Sequence, residues 1–188
     1  MKKLFLSILA TFVAISITFA QDTEYFQFKG IPINGSMSDF GKQLEAEGFT
    51  KINANSYRGK FLRSDSVVTI VGDDDNMVWR VAAFLATTDT WSTLESAFNN
   101  YVNLYKEKYG TPHASSKKFT SYTGDHSGLK MNSIRDGECD YSATWNLPQG
   151  SIEVRIVEGS RYGTGCIRII YTDNTNKNKV HQSDLDEI

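Results

Sequence analysis

Residues 89–110, DTWSTLESAFNNYVNLYKEKYG, constrain this chain more than any other stretch. Trp91, Leu94, Phe98, Tyr101, Val102, Tyr105 and Tyr109 recur at helical spacing, so one stripe of an α-helix carries all of them. Asp89 or Thr90 is placed to cap its start, Lys106 and Lys108 complement the dipole at its end, and Gly110 followed by Pro112 stops it. A stripe this aromatic has to be received by a broad apolar surface, so the flanking segments must supply a sheet.

They read as strands. Residues 57–63, 66–72 and 77–86 form one run ahead of the helix, with Asp73-Asp74-Asp75-Asn76 as a hairpin tip. In the last of these both alternating sets are largely apolar, which predicts a strand central in its sheet or covered on both faces, with Trp79 and Phe84 in the core beside Trp91 and Phe98. After the helix, residues 117–123 predict a strand, residues 124–138 a long polar connection, and residues 139–147, 151–158 and 166–172 an antiparallel meander. Ile152, Val154 and Ile156 alternate with Glu153, Arg155 and Val157, so one face of that meander is buried and the other wetter.

Ahead of all this, residues 25–33 predict an edge strand or extended arm, and Ser36 with Asp39 predicts a capped short helix through Met37, Phe40 and Leu44 to Gly48. The expected fold class is α+β, with antiparallel sheet and helices on one face. Residues 21–172 make one domain, arranged as two helix-then-strands halves, 21–88 and 89–172, and a polar tail at 173–188 lacks apolar periodicity and is expected to be loosely ordered.

The N-terminus has Lys2 and Lys3, an apolar run over residues 4–19 and the small residues Thr18 and Ala20 before Gln21, the pattern of a cleaved secretory signal at residues 1–20. That run is short for a membrane span, so no stable membrane insertion is expected after cleavage, and the destination is periplasmic or secreted. Removing Lys2 and Lys3 from the 20 basic residues leaves 18 against 22 acidic ones, a formal charge of −4. With no basic run longer than Lys117-Lys118, nucleic acid is not an expected partner.

The segment FKGIPINGSMSDFGKQLEAEGF, residues 28–49, resembles the opening of a group of small, uncharacterised exported α+β proteins of gut bacteria, which share a GIPI-x-G, short-helix, GF pattern. The order of elements is similar to that of β-lactamase-inhibitor-protein-like and PepSY-like modules, a resemblance that implies an envelope or secreted binding or inhibitory domain. Fold likeness alone assigns no activity.

Chemistry-bearing residues are few. Cys139 and Cys166 are the only cysteines and, in an exported chain, a candidate disulfide. A strict meander holds them ~10 Å apart, beyond the ~7 Å a disulfide spans, so the strand order is different, the sheet end is deformed, or both thiols are free. Asp73-Asp74-Asp75-Asn76 lacks the spaced pattern of a calcium loop and reads as a solvated turn. His113, His126 and His181 have no metal-site spacing, Asp125-His126-Ser127 holds the residue types of a triad without its geometry, and Asp136 and Glu138 form an acidic pair. No metal or cofactor is expected, and no catalytic residue is assigned.

These features predict a non-catalytic exported binding module, with a protein partner favoured over a glycan. The expected partner surface is the wetter sheet face with residues 124–138 and 159–165, and Tyr122, His126, Met131, Arg135, Tyr141, Trp145 and Tyr162 as its contact residues. The alternatives are a small envelope hydrolase acting on glycan or peptide, which needs a pocket of convergent ionisable groups, and a carbohydrate-binding domain, which needs a solvent-facing row of rings.

Overall fold

The computed structural model describes residues 25–186; the expected export signal at residues 1–20 lies outside the described residues, as do the last two positions of the tail. The arm at its start is folded rather than extended. β1 (Gln27–Phe28) and β2 (Ile31–Pro32) pair across the two-residue loop Lys29-Gly30, and Phe28, Ile31 and Ile33 enter the core. α1 (Met37–Ala46) begins as expected. The Ser36 hydroxyl accepts the Asp39 backbone N–H at 3.1 Å and donates to the Asp39 carboxylate at 2.9 Å, while Phe40 and Leu44 are buried.

Four strands follow: β3 (Thr50–Lys51), β4 (Ser56–Phe61), β5 (Ser64–Gly72) and β6 (Val78–Thr88). α2 (Trp91–Tyr109) then crosses, and β7 (Ala114–Phe119), α3 (Ser127–Arg135), β8 (Cys139–Asn146), β9 (Gly150–Glu158), β10 (Gly165–Asp173) and α4 (Asn174–Asp186) complete the chain. The strands form one antiparallel eight-stranded sheet in the order β3-β4-β5-β6-β10-β9-β8-β7. Each half is a helix followed by four sequentially paired strands, and the halves join through their last strands, with Ala83 opposite Ile169.

One row across the sheet reads Tyr57, Val68, Ala83, Ile169, Val154 and Ala143, every member buried. The helices cover this face. Gly59 lacks a side chain because a Cβ there would meet the Phe49 ring at 2.5 Å, and a Cβ at Gly165 would meet Leu94 of α2 and Ile134 of α3. Trp91 sits 5.0 Å from both Phe119 and Tyr141, and Tyr105 lies 5.6 Å from Trp145. Trp91, Leu94, Phe98, Val102 and Tyr105 are buried, so at ~2 kcal/mol for each large side chain the stripe contributes on the order of 10 kcal/mol before entropy is subtracted.

Several expectations are corrected. Thr90 takes the N-cap geometry of α2 but makes no side-chain cap bond; its hydroxyl donates to Asp89 instead. The connection 124–138 contains α3, whose Met131 and Ile134 have no long periodic run to announce them but dock on the sheet. The tail is helical as α4. The Asp173 carboxylate closes its first turn by accepting the backbone N–H of Asn176 at 2.8 Å and ties it to the arm by accepting that of Phe26 at 2.6 Å, and the Asp173 and Asn176 side chains are wholly buried. Trp79 and Phe84 are half-buried, not core. β6 is central as expected, yet Phe84 points to the face opposite Ala83, and the register slip between Val71 and Gly72 carries Trp79 out of alternation beneath the Arg80 guanidinium, 4.2 Å from its ring.

Candidate functional site

The face of the sheet opposite the helices is where charge collects. Its central row runs Arg58, Val67, Phe84, Arg168, Arg155 and Ser142, and the next runs Thr69, Ala82, Ile170, Glu153 and Thr144. Strand alternation dictates this, because every neighbour in sequence of a core residue on these strands must face outward. Apolar Val67, Phe84, Val157 and Ile170 are half-buried there, flanked by Arg80, Arg155 and Arg168.

Arg168 and Arg155 are direct cross-strand partners, a like-charge pair that costs up to ~1 kcal/mol by itself. Glu153 bridges them, 3.1 Å from Arg168 and 3.3 Å from Arg155, and Asp140 lies 3.9 Å from Arg155. The Arg155 Nε is close to Glu153 but misaligned, so it and the Arg168 Nε are buried donors with no hydrogen-bond partner among the described residues. Burial holds the Arg80 guanidinium below its ordinary range, with Glu153 opposing the shift and Arg168 adding to it. Hydrogen bonds from Ser116 and then Ser142, with Arg155 nearby, keep the Asp140 carboxyl below the usual range despite partial burial. The result is a network of arginines, held by Glu153 and Asp140, around an apolar centre.

At one end of the central strands α3 and the β9–β10 loop are tied together. Arg135 donates to the Tyr162 hydroxyl at 3.0 Å, its guanidinium lies 5.7 Å from the Tyr162 ring, and its Nε pairs with Asp136 at 3.0 Å. Tyr162 is 85% exposed, Tyr122 91% and Leu129 45%, and His126 at the start of α3 is exposed as well.

Of the residues expected to meet a partner, Tyr122, His126, Arg135 and Tyr162 are therefore at the surface. Met131, Tyr141 and Trp145 are not. Met131 packs in the core from α3, Tyr141 lies beneath Trp91 and Phe98 with its hydroxyl donating to Glu95, and Trp145 donates its indole N–H to the Gly110 carbonyl at 2.8 Å. Tyr141 and Trp145 share the strand parity of Ala143, which is buried under the helices, so they belong to the covered face. Burial, then the Glu95 carboxylate, pushes the Tyr141 phenol up to about 12.

Cys139 and Cys166 are both free thiols, so the candidate disulfide is not formed. β9 lies between their strands, and alternation puts Cys139 on the side of Tyr141 and Cys166 opposite Val157 on the other side. Burial raises each thiol to about 11, far from the thiolate needed for nucleophilic chemistry. At the acidic tip, the Asp73 carboxylate accepts the Met77 backbone N–H at 2.7 Å and closes the turn. Among the described residues no group of three or more His, Cys, Asp and Glu side chains is placed to hold a metal ion, and no helix is long and apolar enough to cross a membrane.

The open-face arginines were absent from the expected contact residues, although the Glu153/Arg155 alternation pointed to their face. The cross-strand neighbours Arg168 and Phe84 depend on pairing between β6 and β10, which no local pattern encodes. Comparison adds nothing to this geometry: no protein-family model, characterised protein or solved structure matches the chain.

Proposed function

We propose that this protein is an exported, non-catalytic interaction module whose open sheet face takes a protein partner. The observation that carries the reading is the row Arg58, Val67, Phe84, Arg168 and Arg155, in which guanidinium groups flank an apolar centre on the face away from the helices. Such a surface suits a partner that presents carboxylates around an apolar contact, since guanidinium groups pair with carboxylates bidentately and keep much of that energy when desolvated. Exposed Tyr122 and Tyr162 extend the contact at the rim, where rigid amphipathic rings bind at low entropic cost.

Deleting residues 126–136 is a poor test, because it removes buried Met131, Ser133 and Ile134. The better perturbation is Arg58→Glu, at an exposed position of the central row outside the Glu153 ion pairs, alongside Tyr162→Ala. Immobilised protein exposed to an envelope extract should retain a partner identifiable by mass spectrometry, retention should weaken with salt, and the arginine variant should lose it while melting normally. A partner retained equally by the wild type and the charge-reversed variant would refute this surface.

A further inference from the structure

On the helix side of the molecule, a cleft of about 510 Å3 opens between the β1–β2 tip, the β4–β5 tip and the C-terminal half of α2. That volume is in the range of small-molecule sites. Its walls are rings held by one another. Phe61 and Tyr171 meet edge to face at 6.3 Å, Tyr105 stacks on Tyr109 at 5.9 Å, and the Tyr105 and Tyr171 hydroxyls share a hydrogen bond. Aromatic surfaces locked in this way present flat faces and edges to a ligand at little further entropic cost.

The two hairpin tips that border the cleft both hold their loop residues at positive φ. Lys29 and Gly30 have φ of +51° and +81°, and Leu62 and Arg63 have +49° and +65°. Two-residue loops with positive φ at both positions favour Asn-Gly, yet the first position here carries a long side chain in each case, Lys29 and Leu62, and both line the cleft. Strain of this kind, on the order of 1 kcal/mol per residue, collects at ligand sites.

The charged side chains of the described lining have one sign. Among the described residues Lys29 and Lys108 line the cleft and no aspartate or glutamate does, in a chain whose acids outnumber its bases. Lys29 is partly offset by Glu47 at 3.4 Å, whereas among the described residues no carboxylate pairs with Lys108, which lies 4.9 Å from the Tyr109 ring.

From these observations we infer that the cleft is a binding site for a small aromatic carboxylate, its ring held between the Phe61, Tyr105, Tyr109 and Tyr171 walls and its carboxylate at Lys108 and Lys29. The site is separate from the open sheet face and stands or falls independently of the partner reading.

The test is titration of the folded protein with 2-naphthoate, followed by amide chemical shifts and calorimetry, with neutral 2-naphthalenemethanol and decanoate as comparison ligands. Saturable shifts should map to Lys29–Gly30, Phe61–Leu62 and residues 104–109, and the alcohol should bind about fivefold more weakly. Lys108→Gln should bring 2-naphthoate close to the alcohol's affinity. Leu104→Glu, at a position 44% exposed and therefore tolerant of change, should abolish binding without altering the melting temperature. No saturable shift at millimolar 2-naphthoate, shifts confined to the open sheet face, equal binding of the alcohol, or tighter binding of decanoate would each overturn the assignment.

Discussion

Replacing Asn176 by alanine tests the anchoring of the C-terminal helix. The side chain is wholly buried, and its amide donates to the Ile33 and Val78 carbonyls, each at 3.0 Å, and to the Asn34 side chain at 3.2 Å. One amide thus ties α4 to the arm before α1 and to the start of β6. Asn176→Ala removes these bonds and leaves two buried carbonyls short of a donor. A buried polar group left without its partner costs about 1–3 kcal/mol, so the expected loss is about 3–5 kcal/mol, a large part of a typical stability of about 5–15. In urea, with a slope of about 2 kcal/mol per molar, the midpoint should fall by about 2 M. Asn178→Ala, exposed on the same helix, should change stability by no more than about 0.5 kcal/mol. Equal midpoints for the two variants would refute the claim that α4 is held by this amide rather than by its own helix propensity.

Ala86 sits at φ +53° where the β6–β10 register slips between Gly165 and Ile167, so Ala86→Gly should relieve left-handed strain and raise stability by about 1 kcal/mol, read as a higher melting temperature. Alkaline pH should destabilise the fold. Burial raises Cys139 and Cys166 from 9.0 to about 11 and Tyr141 from 10.0 to about 12, so the unfolded chain ionises first and the native state holds more protons. The stability these groups contribute is complete below about pH 9 and is lost as pH rises from 9 to 12; melting temperatures that stay level from pH 8 to 11.5 would contradict their burial.

Local pattern settled what depends on local pattern. The stripe from Trp91 to Tyr109 is legible because a helix of nineteen residues repeats its period several times, and the Ser36/Asp39 cap is legible because both partners lie within one turn. Ile152, Val154 and Ile156 announced a one-sided strand for the same reason. Short α3 has too few turns to display a stripe, and α4 has none, since Asp173 and Asn176 hold it through groups more than 90 residues away in sequence.

The candidate surface divides along the same line. Tyr162 and Arg135 lie in polar stretches whose exposure the sequence implied, but Tyr141 and Trp145 look the same as contact aromatics until pairing assigns them to the face under α2. Chain order alone determined an α+β protein with an aromatic helix laid on antiparallel strands. Tertiary structure decided that β6 pairs with β10, which fuses both halves into one sheet, separates the thiols on opposite faces and lines Arg168 up with Phe84 and Arg155. The physical reason is that side-chain alternation is written residue by residue, whereas the neighbour across a strand pair is chosen only when distant segments close on each other.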